Sequence, residues 1–445
     1  MTAGSGLALV VIPVLLVASA LDAGAPGALS YRWIPLAAAV GSVAALALGP
    51  GRVRRRLARA LLPLLPVLAL GTLYVINPTH RWVDGVGLLP ASPWRGWPGS
   101  AHAPSSFAAL GVGVAAAGLF GLGRVLDATG RRIAHIGIAA VGAAMAAVAI
   151  HQRLVPRADA IYEFTGVFAN RNHFVAFALL LLPATLALAH RFHYRAIESG
   201  APSSPSGVVY LCAALLAAGI VLTESRAGVV LLAASLAAWA AVRWRLHLHY
   251  GHWRPARWLR GGVPVALLLA AAIAVPCLAM ATRHGRGWPG SGDVEFRGRV
   301  VRDTLAAWRD NFAWGTGPGT FAVIYPYYQS EDLRDFQFGH AHFEPAQFLA
   351  EFGLLGGAIV LVGIVLALRG ARRAAPGGEA RPTPGEIEGP GIAIGLVSVL
   401  LLGLSDFPFR APTVLLLSAF MASQLCAAWP RPRTPSATEV PPTAD

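Results

Sequence analysis

The chain has 445 residues, 55% of them hydrophobic and only 13% charged, which excludes an ordinary soluble domain and places it among polytopic membrane proteins. Its net charge is +14, and all 36 basic residues are arginine. Membrane topology and anionic lipid headgroups account for that excess, so nucleic-acid binding is set aside.

A spanning helix needs roughly 20 mostly apolar residues, and 17 suffices. Twelve stretches qualify, at about 4–21, 33–49, 58–76, 106–123, 133–150, 173–190, 207–223, 227–242, 263–281, 346–368, 391–405 and 411–429. The first lacks a basic leading run and a cleavage-like site, so it reads as a retained helix, not a signal peptide. The sequence divides into a first helical block over 1–281, a polar loop over 282–345, a second block over 346–429 and a tail over 430–445. The linker at 370–390 and the tail are rich in Pro, Gly and charge and read as disordered cytoplasmic segments.

Orientation follows from the arginines. With an N-in, C-in topology the inside segments hold 21 Arg against 7 acidic residues, and the outside segments hold 15 of each. The whole positive excess then lies on one face, as the positive-inside bias requires. Cys212, Cys277 and Cys426 all fall within expected helices and offer neither a disulfide framework nor metal-ligand spacing. In the 77–105 loop, Trp82, Trp94 and Trp97 among Pro and Gly read as an interfacial indole layer.

Charges inside a spanning segment are costly and usually functional. The helix interiors are almost free of them; His135, near one helix start, reads as a satisfied interfacial histidine. The outer ends differ. Asn170-Arg171-Asn172-His173 opens the sixth stretch, Glu224-Ser225-Arg226 fills the seventh-to-eighth turn, and Asp406 to Arg410 fills the last one. With the 282–345 loop, four polar clusters share one membrane level. A secondary transporter wants its ionisable groups near mid-bilayer; these sit at one boundary.

Arg226 is either a snorkelling contact to lipid phosphate or a site residue. Arg297, Arg299 and Arg302 precede or enter a helix running to about Trp308, with 299 and 302 on one face and 297 just ahead of its start. Guanidinium groups beside a helix N-terminus suit a pyrophosphate; the alternative is pairing with Asp293, Glu295, Asp303 or Asp310. His340 and His342 stand before the tenth stretch, whose start carries Glu344, Gln347 and Glu351. A histidine accepts a proton from a hydroxyl near neutral pH, as a general base must. No neighbouring acid and histidine spacing forms a metal pattern. Thr316-Gly317-Pro318-Gly319-Thr320 lacks the Gly-Lys-Ser/Thr ending of a phosphate loop and reads as a tight turn.

At these residues the chain resembles the O-antigen ligase and polymerase superfamily. The resemblance lies in Gly166-Val167-Phe168-Ala169-Asn170-Arg171-Asn172-His173-Phe174, Ser225-Arg226-Ala227-Gly228, Arg297 with Arg302-Asp303-Thr304-Leu305, Gly315-Thr316-Gly317-Pro318-Gly319-Thr320-Phe321, His340-Ala341-His342, and Leu349-Ala350-Glu351-Phe352-Gly353-Leu354-Leu355-Gly356. It spans roughly 160–360 in an ordered series. One departure is Phe343, where the family usually has an asparagine.

The resemblance implies an all-α polytopic fold of about 12 transmembrane helices, a GT-C-like bundle with a periplasmic loop containing short helices. It implies a metal-independent, inverting glycosyltransferase without a cofactor, in the bacterial inner membrane with its site facing the periplasm. The donor would be an undecaprenyl-pyrophosphate-linked glycan and the acceptor a lipid, glycan or protein hydroxyl. His342 would be the general base, with Arg226 and Arg297 on the pyrophosphate. Arg171, Asn172, Arg299, Arg302, His340 and Glu351 are the further expected substrate contacts, with Glu351 also placed to orient the base. Transport of a small anion such as bicarbonate is the alternative function, and a non-catalytic scaffold is a third.

Overall fold

The structure, a computed structural model, describes residues 33–48, 50–91, 93–155, 167–168, 170–250, 291–373 and 382–428, with the single residues 12, 14 and 18. Apart from those three single residues the expected helix at 4–21 lies outside the described residues, as do the one at 263–281 and the tail. In chain order the elements are α1 (Ile34–Leu48), α2 (Gly51–Leu61), α3 (Leu65–Ile76), β1 (His80–Val83), β2 (Gly87–Pro90), α4 (Ala103–Val125), α5 (Ala128–Leu154), α6 (Arg171–Ser199) and α7 (Ser206–Leu222). Then follow α8 (Arg226–Tyr250), α9 (Ser291–Asp310), α10 (Phe321–Ile324), α11 (Glu344–Arg373), α12 (Pro384–Leu402) and α13 (Pro412–Ala428).

The protein is an all-α polytopic membrane protein. Seven helices are long and apolar enough to cross a membrane, and α1, α7 and α13 supply shorter apolar helices. Together these coincide with ten of the twelve expected stretches. Cys212 and Cys426 lie in α7 and α13 as free thiols, while Cys277 is outside the described residues.

The bundle is built around α6. Every residue from Phe174 to Pro183 is buried there, so a continuous apolar run reads as an enclosed helix rather than an amphipathic one. Its ends are set locally. The Asn170 side chain accepts from the Asn172 N–H at 2.8 Å, capping the start, and Gly200 at φ +65° closes the end. The α12 helix makes the most extensive contact with α6. A Cβ on Gly391 would lie 2.5 Å from the Pro183 carbonyl oxygen, and one on Gly395 would lie 2.4 Å from that of Leu180. This small-residue pair, four apart, lets two backbones touch where apolar burial gives no drive in lipid. Gly395→Leu is expected to cost about 1–3 kcal/mol by overpacking. A detergent melting curve indistinguishable from wild type would contradict that seam.

Toward one end of the bundle the connections are elaborate. Asp84 and Gly85 turn a small antiparallel hairpin, β1 against β2, in the 77–105 loop. Trp82, Trp94 and Trp97 remain exposed there. The polar loop forms α9, α10 and 3₁₀ turns at Tyr325–Tyr327 and Glu331–Leu333, around a small core of Val300, Phe321, Tyr325, Leu333 and Ala341. Two expectations are corrected. The α9 helix is 20 residues long and begins at Ser291, so Arg297 lies within it and none of Arg297, Arg299 and Arg302 sits at its N-terminus.

The glycine turn docks onto a break in α11. Gly353, at φ +61°, interrupts the helix, and the strand of backbone from Phe312 to Gly317 fills the gap. Thr316 and Gly317 N–H groups donate to the Ala350 and Glu351 carbonyls at 2.9 Å each, while Leu354 N–H donates to the Phe312 carbonyl at 2.9 Å. A broken helix at membrane depth survives only if its freed groups find such partners. A Cβ on Gly353 or on Gly315 would meet facing backbone at 2.4 Å, so both positions require glycine.

Candidate active site at the loop end of the bundle

After α12 ends, the Ser405 and Asp406 N–H groups both turn back onto the Leu402 carbonyl, at 2.9 and 3.0 Å. That turn carries the Asp406 carboxylate inward, where it is only 2% exposed. A buried carboxylate is expensive unless its oxygens are satisfied; Asn172 and the Phe407 N–H donate to it, and two further segments reach the residues beside it. Asn172, from the start of α6, donates its Nδ2 to Asp406 Oδ2. Ser225 Oγ, one residue before Arg226, donates to Asn172 Oδ1 at 2.7 Å. Arg297 Nη1 donates to the Ser405 carbonyl at 2.9 Å. His342 Nδ1 stands 3.6 Å from Asp406 Oδ1. The expected clusters therefore meet around the Ser405-Asp406 turn.

Burial acts to raise the Asp406 pKa, but the His342 ring, the Phe407 N–H and the Asn172 amide outweigh it and hold the carboxyl below its ordinary value. The acid is ionised across the physiological range. His342 Nδ1 faces that carboxylate at 3.6 Å, beyond hydrogen-bond length, and a shortening of that gap would direct the ring proton to Nδ1 and leave Nε2 as the lone-pair acceptor a general base needs. His342 itself sits at φ +54°, a left-handed conformation that costs a non-glycine residue energy and is kept where the surroundings demand it.

His340 differs. Burial first, then the Arg410 charge, push its pKa down to about 3, so it stays neutral. Its Nδ1 lies 3.4 Å from the Gln347 amide, which directs the remaining N–H through Nε2. The Phe407 ring lies 4.3 Å from the His340 ring and 4.8 Å from that of His342, packing the two imidazoles apart.

The remaining expected residues divide. Arg226 opens α8 with an exposed side chain that pairs with no described residue, and Arg302 is likewise exposed and unpaired among the described residues. Arg171 is half-buried at the start of α6. Arg299 is bound by Asp332, a partner the sequence reading did not name, while Asp303 accepts from Ser330 and Tyr325. Glu351 is fully buried. It accepts from the Gly319 N–H at 3.0 Å and Gln347 Nε2 at 3.1 Å, and it pairs with Arg410 Nη1 at 2.7 Å. It therefore anchors the glycine turn, and the acid beside the His342 ring is Asp406. Asp406 and Arg410 were visible as polar residues of the last turn, but their spacing gave no role.

Among the described residues no cluster of His, Cys, Asp and Glu is arranged to hold a metal ion. Residues 211–361 match the family model described as O-antigen ligase. That match, over about a third of the chain, supports the resemblance to the O-antigen ligase and polymerase superfamily. No curated protein matches the chain. The ligase-family segment includes Arg226, Arg297, His340, His342 and Glu351. Asn172, Asp406 and Arg410 lie outside it and join the site by geometry alone.

Proposed function

We propose that the protein transfers a glycan from an undecaprenyl-pyrophosphate carrier to an acceptor hydroxyl at the periplasmic face of the inner membrane, N-in and C-in. The observation that supports this best is the Ser405-Asp406 turn: His342 faces the Asp406 carboxylate, Arg297 binds the Ser405 carbonyl, and the Ser225-Arg226 turn reaches Asp406 through Asn172. In this reading His342 Nε2 takes the acceptor O–H proton while the oxygen attacks the anomeric carbon from the face opposite the leaving group. The C–O bond to the diphosphate breaks, and the polyisoprenyl diphosphate departs with the electron pair. Arg226 and Arg297 stabilise the charge that develops on it, a task prepositioned cations perform well in a water-poor site. Arg302 and Arg171 line the same end, and His340 donates a neutral N–H toward sugar hydroxyls. Guanidinium groups take the part a metal plays elsewhere, and displacement inverts the anomeric centre.

Anion transport is less well supported. The interior of α6 between its two ends is apolar apart from Thr185, whose hydroxyl is spent on the Leu181 carbonyl.

The test is transfer by purified protein supplied with a polyisoprenyl-diphosphate glycan, with products resolved by size. A ladder indicates polymerisation and a single step indicates ligation. Arg297→Ala is expected to slow transfer about 10²-fold, as loss of one charge-stabilising donor does. Wild-type turnover by that variant, or no transfer by the native protein, would remove the assignment.

A further inference from the structure

The opposite end of the bundle has its own buried polar group. From His173 to Arg191 along α6 is 18 residues, about 27 Å at 1.5 Å per residue, close to the thickness of a bilayer core. There the start of α5, the far part of α6, the start of α12 and the end of α13 enclose a cavity of about 70 Å3. Its walls include Arg131, His135, Arg191, Glu388 and Gln424. We propose that this cavity binds a phosphate group, either inorganic phosphate or the phosphomonoester headgroup of a lipid.

Charge balance points to an anion. Arg131 and Arg191 bring two permanent positive charges against the single carboxylate of Glu388. Arg191 Nη1 binds Glu388 Oε1, and His135 Nδ1 lies 3.6 Å from Glu388 Oε2. That carboxylate is thus engaged by two partners; Arg131 feels its charge and that of Asp127, without a direct ion pair to either among the described residues. Arg56 adds positive charge within electrostatic reach of Arg131.

Hydrogen-bond accounting points the same way. Arg191 is 7% exposed, and its Nε is buried without an acceptor. His135 Nε2 is buried without a partner as well, so the expectation of a satisfied interfacial histidine is corrected. Buried polar atoms left unpaired each cost roughly 1–3 kcal/mol, and a guanidinium Nε in the wall of a cavity is placed to donate to an anion held there. A phosphate has enough acceptor oxygens for both guanidinium groups at once. A cavity this size holds several water-sized groups, enough for one tetrahedral anion.

The experiment uses the full chain purified in detergent, with thermal unfolding and native mass spectrometry as readouts. One arm titrates inorganic phosphate; the other adds phosphatidic acid in mixed micelles. Saturable stabilisation by phosphate assigns a soluble ligand, and a retained lipid adduct with no response to phosphate assigns a headgroup. In the responding arm Arg131→Gln is expected to weaken binding about tenfold or more, the value of a charge-assisted fork. Its unliganded melting temperature should match wild type, because Arg131 is half-buried and unpaired. Should that variant unfold, Arg131→Lys, which keeps the charge and loses the fork, is expected to bind less tightly than wild type. No response of the native protein in either arm, or undiminished binding by a folded Arg131 variant, overturns the proposal.

Discussion

Asp406→Asn is expected to lower the rate of glycan transfer by about 10²- to 10⁴-fold, the range that general-base assistance contributes. The substitution keeps the size of the side chain and its contact with Asn172. It removes the negative charge that favours the imidazolium formed when His342 takes a proton. It also permits the amide to present N–H to the ring and so select the wrong tautomer. His342→Ala should be slowed to a similar extent. The double variant should be little slower than either single one, because two residues acting as a unit lose their effect together. His340→Asn, by contrast, should lose no more than about tenfold, since a histidine held neutral near pKa 3 is no base at pH 7. Transfer rates measured at saturating donor separate these cases. Multiplying losses in the Asp406 and His342 pair, or a His340 variant slower than a His342 variant, would overturn the dyad.

Much of the architecture was legible because lipid permits few answers. Long apolar runs must be helices, and the described helices fall on ten of the twelve expected stretches. The polar clusters could be placed at one level because each interrupted an apolar run at the same side of the chain's zigzag, and Asn172, Ser225, Arg297 and His342 do converge. What composition could not show was which acid would face which base. Glu351 is nine positions after His342 and nearer in sequence, yet a helical path directs it toward the glycine turn. Asp406 lies 64 positions away and arrives through tertiary packing.

Local geometry explains the other differences. The Gly353 break looked like an ordinary small residue in an apolar helix, because nothing in periodicity distinguishes a tolerated glycine from a left-handed one. Gly391 and Gly395 looked equally bland until their facing backbone was known. The β1–β2 hairpin was signalled by Asp84-Gly85, but its flanking residues do not alternate cleanly, so the indoles dominated the reading. Arg299 was expected to contact substrate, with pairing inside the loop as the alternative, and it is engaged by Asp332, an acid the sequence reading did not name.

The second large effect should come from Arg410. Its guanidinium stands between two carboxylates, 2.7 Å from Glu351 Oε2 and 3.5 Å from Glu344 Oε2. Burial alone would lower its pKa, and the two acids outweigh that and hold it more firmly charged than usual. Arg410→Ala leaves both acids buried with only neutral donors for company: the Gly319 N–H and the Gln347 amide on Glu351, and the Phe409 N–H on Glu344. Removing one partner from such a cluster costs about 3–5 kcal/mol, well above the worth of an exposed pair. The first region to loosen should be the turn from Trp314 to Phe321, since Glu351 holds it to α11. Hydrogen exchange should therefore rise there before the bundle melts, and transfer should fail with it because the loop carrying Arg297 loses its anchor. The triple change Arg410→Met, Glu351→Gln and Glu344→Gln removes the unpaired charge and keeps the volume, so it should recover most of the lost melting temperature while the single variant does not. An Arg410→Ala protein that melts like wild type, or a triple variant no better than the single one, would mean the cluster is not the clasp between loop and bundle.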